Sequence, residues 1–176
     1  MAGTNQIAER LVNFRVYRDG VDYLGLASVT LPSIDAMTDT VSGAGIAGEV
    51  ETPVLGHFSS TTVTLSFRTI DGDLTFLAAQ KAHALDLRGS QQVYDASLGE
   101  YKTVPVKIAL RAMPKSINLG TFEPGATTDS EAELEVNYLK VDVDGKTRIE
   151  IDKYNYICRI GDTDYLEGVR KDLGLA

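Results

Sequence analysis

The sequence predicts a mainly β fold of the α+β type, an antiparallel barrel or sandwich with one central helix and a short C-terminal helix. Apolar and polar residues alternate with a period of two in several segments, and glycine- or proline-containing turns separate these segments. Such alternation is typical of strands with one buried and one solvated face, as in antiparallel sheets. Only two segments show helical spacing, and the strands do not alternate with crossover helices as a parallel sheet requires.

Length and composition indicate one globular domain. A chain of 176 residues with 43% hydrophobic residues can bury a sizeable core, so we expect a single domain over residues 1–176. No run of about 18 apolar residues is present, and the first residues lack the basic and apolar regions of a secretory signal. The single cysteine, Cys158, excludes an intramolecular disulfide and fits a reducing cytoplasm.

The charge balance argues against nucleic-acid binding. The chain has 25 acidic and 17 basic residues, a net charge of −8, and no block of Lys or Arg that would displace phosphate counterions. Two interpretations remain open. The acidity serves solubility, or it provides a surface that repels polyanions.

A β-hairpin is predicted near the N-terminus. Val12, Phe14 and Val16 share one face of the first strand, and residues 18–20 form a turn in which glycine occupies the left-handed position. A three-residue loop there places Phe14 opposite Leu24. The register of the hairpin is thereby predicted.

The middle of the chain is predicted to form a strand, a helix and two further strands. Residues 61–70 alternate cleanly, Asp71 can cap a helix that ends near His83, and residues 86–101 suggest a short strand and a turn. Residues 101–114 form a long strand. It contains Pro105, which requires an edge or a position where its missing N–H is not needed.

The C-terminal third is predicted to form a second hairpin and a helix. Apolar residues change parity along each arm of this hairpin, which turns at residues 144–145. A shift of one residue moves every side chain to the other face, so we expect a bulge or bend in each arm. Thr163 is the expected N-cap of the last helix, and Gly174 its C′ residue.

A glycine-rich stretch at residues 38–58 interrupts this pattern. Gly43, Gly45 and Gly48 match the spacing of a dinucleotide-binding loop, which must follow a buried strand and open a helix. Here two carboxylates and Pro53 follow, so the residues disfavour both a helix and a phosphate. We interpret the stretch as a flexible, extended arm rather than a ligand loop.

No other pattern indicates catalysis or a cofactor. Residues 142–145 resemble part of a calcium loop, but Lys140 and Ile151 occupy positions that require ligands. His57 and His83 lack metal-ligand spacing, and no G-x-S-x-G nucleophile elbow is present. We therefore expect no enzyme, no metal and no cofactor.

Four segments together carry a resemblance to a known family. They are LVNFRVYRDGVDYLGLASVTLPSI, VSGAGIAGEVETPVLGHFSSTTVTLSFRTI, KAHALDLRGSQQVYDASLGEYKTVPVKI and GTFEPGATTDSEAELEVNYLKVDVDGKTRIEIDKYNYI. In this order, from about Leu11 to the final helix, the chain resembles the major tail tube proteins of contractile-tailed bacteriophages. It is also similar to the tubes of R-type bacteriocins and to Hcp-like proteins of type VI secretion.

The resemblance implies a structural subunit of a tail. Members of the family assemble as hexameric rings, and the rings stack into a hollow tube inside a contractile sheath, the conduit for DNA and for membrane penetration. The implied partners are further copies of the chain, the sheath, baseplate and tail-terminator proteins, and a tape measure protein or DNA held in the lumen without specific binding. The implied location is the virion tail, assembled in the host bacterial cytoplasm, without a lipid anchor.

The resemblance also assigns two groups of residues. Contacts between subunits or rings are expected from the glycine-rich stretch, at Val41, Gly43, Gly45, Ile46, Gly48, Val50, Pro53, Val54 and Leu55. Lumen-facing residues are expected on two strands with a polar face, at Thr62, Thr64, Ser66, Arg68, Glu133, Glu135 and Asn137. Two alternatives stay open: a bacteriocin or other injection tube without DNA, or a monomeric β-sandwich binding module.

Overall fold

A computed structural model describes residues 5–175 as twelve strands and two short helices. Strands hold 59% of the residues and helices 7%, which confirms the predicted mainly β class. The elements are β1 (Gln6–Arg18), β2 (Asp22–Leu24), β3 (Ser28–Thr30), β4 (Ala36–Ser42), β5 (Glu49–Phe58), β6 (Thr62–Phe67), α1 (Gly72–Leu77), β7 (His83–Asp95), β8 (Glu100–Asn118), β9 (Ser130–Val143), β10 (Lys146–Asp152), β11 (Ile157–Ile160), β12 (Thr163–Asp164) and α2 (Glu167–Asp172).

Ten strands form one antiparallel sheet that folds over a single core. Its main path runs β12-β11-β10-β9-β8-β7-β1-β2, and β6 joins β3 to β9 off this path. The first half of β9 pairs with β6 and its second half with β10, so β9 passes from one layer to the other. Val16 and Leu85 from one layer meet Val63 and Leu134 from the other in the buried cluster.

A bulge at Asn137 produces this change of layer. Arg111 pairs with Tyr138, but the next residue, Ala112, pairs with Val136, so Asn137 is an extra residue in β9. The bulge predicted from the parity change in this strand is confirmed. In the returning strand, β10 has a register shift between Thr147 and Ile149. The parity change farther along comes from a turn of four residues, 153–156, that joins β10 to β11, rather than from a bulge.

The first hairpin has a different register from the predicted one. Val16, rather than Phe14, lies opposite Leu24, because the loop is formed by residues 19–21. On its other side β1 pairs with β7 along its whole length, and a register shift between Leu11 and Asn13 leaves Val12 as an extra residue. Val12 is exposed and does not share the face of Phe14.

Both helices are shorter than predicted. Asp71 caps α1 as expected, since its Oδ1 accepts from the N–H of Leu74 at 2.9 Å, but the helix ends at Leu77. His83 opens β7, which pairs with β1 and β8, so sheet pairing outweighs the helix propensity of the alanine-rich segment. At the other end, Thr163 pairs with Ile160 in β12 instead of capping α2.

The long strand β8 accommodates Pro105 without losing a ladder hydrogen bond. Pairing with β9 begins at the next residue, Val106, and the carbonyl of Pro105 accepts from the N–H of Asp144 in the β9–β10 turn. Because the N–H and C=O of one residue in an antiparallel strand point to the same side, the missing donor faces this turn. Within residues 5–175 no helix is long and apolar enough to cross a membrane.

Candidate assembly surfaces

The glycine-rich stretch forms a hairpin, which we call the arm and define as β4, β5 and their loop, residues 36–58. Its two strands form a sheet of their own, with Thr40 opposite Glu51 and Val41 opposite Val50. Gly43, Gly45 and Gly48 in the loop have φ values of 136°, 94° and 128°, a region that L side chains rarely adopt. A strand, not a helix, follows the motif, so the loop lacks the geometry of a dinucleotide site.

The arm has an apolar side and an acidic side. Directly opposite residues share a face, so Val41 and Val50 lie together, whereas Glu49 and Glu51 lie on the other face. The predicted apolar contact residues are 39 to 57% exposed: Val41, Ile46, Val50, Val54 and Leu55. An isolated two-stranded hairpin is only marginally stable in water, so these side chains need a partner surface to be buried.

Gly56 anchors the base of the arm on the C-terminal segment. The N–H of Ser59 closes the base by donating to the carbonyl of Asp35 at 2.9 Å. Gly56 has a φ of 65° and lies so close to Leu166 that an added Cβ would come within 2.5 Å of its Cγ. The direction of the arm therefore depends on the absence of a side chain at this position.

Replacing Gly56 with alanine is expected to destabilise the subunit by about 1–3 kcal/mol, because the new Cβ combines a strained φ with a displaced Leu166. The measurement is chemical denaturation of the purified chain. Gly168→Ala is the matched control, since its Cβ would meet nothing within 4 Å and lies in a helix. Equal losses of unfolding free energy in the two variants would contradict the close contact between Gly56 and Leu166.

The polar face predicted for the lumen is a continuous ladder of β6 and β9. Thr62 lies opposite Glu135, and Thr64 lies opposite Glu133. Val63, Leu65 and Phe67 point to the core, which confirms the predicted alternation. The remaining candidates lie at the margins: Ser66 opposite Glu131, Arg68 just beyond β6, and Asn137 at the bulge of β9.

Cations compensate the carboxylates of this face. Lys115 Nζ lies 3.0 Å from Glu133, and Lys153 Nζ lies 3.6 Å from Glu135. Burial raises the pKa of Glu135, but hydrogen bonds from Ser60 and Thr61 and the charge of Lys153 outweigh it, so the net pKa is below its ordinary value. Glu135 is thus held ionised at neutral pH, within a mixed rather than purely acidic surface.

An ion pair fastens α2 to the end of the sheet. Arg170 donates to Asp164 at 2.8 Å and to the carbonyl of Tyr156 at 2.7 Å, while the N–H of Leu166 also donates to Asp164. The hydrogen bond from Arg170 is the largest cause that lowers the pKa of Asp164. This contribution to stability is present above the unfolded-state pKa and is lost as pH falls through the lower folded-state pKa.

Asp164→Asn is expected to lower the free energy of unfolding at pH 7 by about 1.5–3 kcal/mol, the range for hydrogen bonds to charged groups. Its stability should also fall less steeply than that of the parent chain below about pH 4, because the titrating carboxyl is gone. Denaturation curves at several pH values measure both effects, with Asp162→Asn as the exposed control. If the free energy of unfolding of D164N fell as steeply with decreasing pH as that of the parent chain, a group other than Asp164 would control the acid sensitivity.

The remaining sequence candidates lie apart from one another. His57 is exposed and its Nδ1 lies 2.9 Å from the carbonyl of Leu55, whereas His83 is buried with Nε2 3.0 Å from the carbonyl of Ala79. Cys158 is buried, and burial raises the pKa of its thiol. In the part of the chain that the structure describes, no three His, Cys, Asp or Glu residues are grouped to hold a metal.

The sheet has a long edge along β1. Among the strands in residues 5–175, β7 alone pairs with residues 7–15, since β2 pairs only with the last three residues of β1. Ile7, Leu11 and Val12 on this edge are 47 to 57% exposed. An edge of this length is a template for pairing with another chain unless something covers it.

The subunit also exposes more surface than a compact monomer. Its accessible surface is 11160 Å², whereas a compact monomer of this length exposes about 8,400 Å². Most residues of the arm and residues 6–13 of β1 are exposed, which contributes to this excess.

Comparison with known proteins assigns a family. The model of the family described as Phage tail tube protein FII matches residues 8–174. The chain is 28% identical over 169 residues to the tail tube protein of Escherichia phage P2, covering 94% of this chain and 97% of the relative. It is 25% identical over 171 residues to the major tail tube protein of Serratia phage KSP20, covering 96% and 98%.

Two solved structures of an extracellular contractile injection system share the fold, each with a TM-score of 0.52 and 17% sequence identity. One is a chain of the PVC sheath-tube complex in the extended state, with 74% of this chain and 88% of that chain covered. The other is a chain of the PVC sheath/tube terminator in the extended state, with 76% and 96% covered.

Proposed function

Because this chain belongs to the phage tail tube protein FII family, we propose that it assembles as hexameric rings that stack into the hollow inner tube of a contractile tail. It is a tail tube protein of a contractile tail or injection system. Its relatives are structural proteins, which supports a structural rather than an enzymatic role. The single domain with a projecting arm would be the unit of assembly.

The arm is the observation that carries the proposal. It pairs with no other strand of the described subunit and exposes its apolar residues, including Val41 and Val50. On assembly it would reach an adjacent subunit or the next ring, and its loop glycines would provide backbone freedom until contact orders them. The predicted contacts at Ile46, Val54 and Leu55 belong to this proposal.

The open edge of β1 supports closure into a ring. A neighbouring subunit that pairs along residues 7–15 would continue the sheet, and repetition around a symmetry axis would leave no edge exposed. Ile7, Leu11 and Val12 would then be covered. The sheets of the subunits would form one barrel around a lumen.

The lumen is proposed to carry DNA without binding it specifically. The polar face of β6 and β9, from Thr62 to Asn137, would line it in part, and Lys115 and Lys153 are already paired there with carboxylates. Few cations would therefore remain to hold phosphate. A tape measure protein would occupy the same space before DNA.

The remaining proposed partners follow from the tube itself. A sheath protein would surround it, and baseplate and terminator proteins would cap its ends, in the virion tail after assembly in the host cytoplasm. The two structural neighbours come from a sheath-tube complex and a sheath/tube terminator, which supports these classes of partner. A tube of an injection system that carries no DNA is the second candidate, and neighbouring capsid genes would distinguish the two.

The test replaces residues 43–48 of the arm with Asn-Gly, which closes a hairpin in a two-residue turn and keeps the two strands paired. Negative-stain electron microscopy and sedimentation would compare the variant with the parent chain. We expect rings or tubes from the parent and monomers from the shortened arm. Normal tubes from the variant would refute the role of the arm, and a parent chain that stays monomeric at high concentration would favour a binding module.

A further inference from the structure

Three cations from three different strands lie side by side on the outer face of the sheet. Arg15 of β1 lies directly opposite Arg88 of β7, which lies directly opposite Lys107 of β8. The neighbouring residues Val16 and Leu87 point into the core, so this row faces away from it. We call Arg15, Arg88 and Lys107 the cation row.

Like charges placed directly opposite one another destabilise a sheet unless a counter-charge is present. Asp86 lies 3.3 Å from Arg88 and 3.2 Å from Lys107. The Asp86 carboxylate is therefore shared between Arg88 and Lys107. Arg15 makes no ion pair with any described residue. Asp142 also lies directly opposite Lys107, so Arg15 is the member of the row that no described carboxylate compensates.

Aromatic rings hold the two guanidinium groups in place. Arg88 lies over the ring of Tyr17 at 4.6 Å, and Arg15 lies over the ring of Tyr23 at 5.3 Å. A shallow depression beside these residues is lined by Asn13, Arg15, Tyr17 and Arg88. Arg88 Nη2 already donates to Asp86 and to the carbonyl of Gly20. A stacked guanidinium such as that of Arg15 can still donate its N–H groups to a carboxylate, and it is already ordered when the carboxylate arrives.

The matching negative charge lies on the arm. No Lys or Arg occurs between Arg18 and Arg68, so the arm carries three carboxylates and no cation. Glu49 and Glu51 project from its acidic face. These two carboxylates on one strand face therefore supply the negative charge that Arg15 lacks in the described subunit.

These complementary surfaces do not meet within the described subunit, where no ion pair joins the arm to the cation row. From this we infer that the acidic face of the arm of one copy docks on the cation row of a second copy. Such a head-to-tail contact uses two different patches of one chain and propagates into rings or tubes. The inference rests on the proposed function and names the surface that receives the arm.

Nucleic acid is the less favoured occupant of the row. A duplex needs a continuous basic stripe, whereas Asp86 lies within this patch and Asp142 lies directly opposite Lys107 at its end. Both carboxylates lie near Lys107 and would repel a phosphate backbone that runs along the whole row. A short acidic segment can instead contact Arg15 at the other end of the row, two strands away from Lys107.

A charge-exchange series tests the docking. Arg15→Glu with Arg88→Glu reverses the row, Glu49→Lys with Glu51→Lys reverses the arm, and the fourfold variant restores opposite signs. Each twofold variant should assemble at least tenfold less well, and the fourfold variant should recover most of the assembly, because opposed charges are again paired. Sedimentation and electron microscopy measure assembly, and thermal unfolding verifies that each chain is folded.

Lys146→Glu with Arg148→Glu is the matched control for the reversal of the row, since it makes the same change in net charge at two exposed residues of β10 that do not belong to the row. Normal tubes from both twofold variants, together with loss of tubes when the arm is shortened, would overturn the docking and leave the tube function standing. A parent chain that never assembles would instead remove the tube function. Binding of a short DNA duplex by the parent, lost in R15E/R88E without loss of tubes, would assign the row to nucleic acid and overturn the inference.

Discussion

Phe67→Ala is expected to lower the free energy of unfolding by about 3–5 kcal/mol, one of the two largest effects of a single substitution that we predict. Phe67 is 1% exposed, and it belongs to the buried cluster that joins β6 and β9 to the opposite layer. Truncation removes most of a large apolar side chain and leaves a cavity that its neighbours fill only in part. For a domain of this size the melting temperature should fall by roughly 10 °C.

Ser66→Ala is the control for this substitution. Ser66 is adjacent in the same strand but faces the polar side, opposite Glu131. Its loss should change stability by no more than about 0.5 kcal/mol. A cost below about 1.5 kcal/mol for F67A in denaturant unfolding would mean that the two layers do not share one core, because cavity formation at a shared centre costs more.

The strands with strict alternation could be predicted from the sequence, because the side chains of neighbouring residues in a strand point to opposite faces whatever the strand pairs with. One residue in two along residues 61–67 must enter the core, so the apolar pattern alone identifies the buried face of β6. The parity change of β9 also predicted a bulge, which the structure places at Asn137. A parity change cannot by itself distinguish a bulge from a turn, and for β10 and β11 the turn is correct.

Other elements could not be read because distant partners decide them. The alanine-rich segment before His83 favours a helix locally, yet pairing of β7 with β1 and β8 ends the helix at Leu77. Near Asp19 the sequence allows a three-residue loop at residues 18–20 or at residues 19–21, and the structure has the second, which places Val16 opposite Leu24. The polar start of β1 at Gln6 lacks an apolar pattern and becomes a strand only beside β7.

Of the two candidate contact surfaces, the arm was partly predictable from the sequence and the cation row was not. Loop glycines and exposed apolar residues mark the arm in the sequence, although its folding as a separate hairpin was not predicted. The cation row is invisible in the sequence, because Arg15, Arg88 and Lys107 are brought together by strand pairing alone. Only the absence of cations between Arg18 and Arg68 signals that a complementary surface is needed.

Gly120→Ala is the second substitution with a large expected effect, a loss of about 2–4 kcal/mol from strain combined with displaced backbone. Gly120 lies in the β8–β9 loop with a φ of 78°, and an added Cβ would overlap with the carbonyl group of Thr128. Because backbone rather than a flexible side chain occupies this space, the loop itself must move. The N–H of Thr121 donates to Thr128, and the N–H of Thr128 donates to Arg68, so the movement breaks the link between this loop and β6.

Gly125→Ala in the same loop separates the two causes of this loss. Gly125 has a φ of 83°, but an added Cβ there would meet nothing within 4 Å. This control should therefore cost only the strain of a left-handed alanine, about 1 kcal/mol. Denaturant unfolding of both variants gives the difference, which measures the overlap with Thr128. Equal losses at Gly120 and Gly125 would show that the loop relaxes without cost and does not hold the ends of β6, β8 and β9 together.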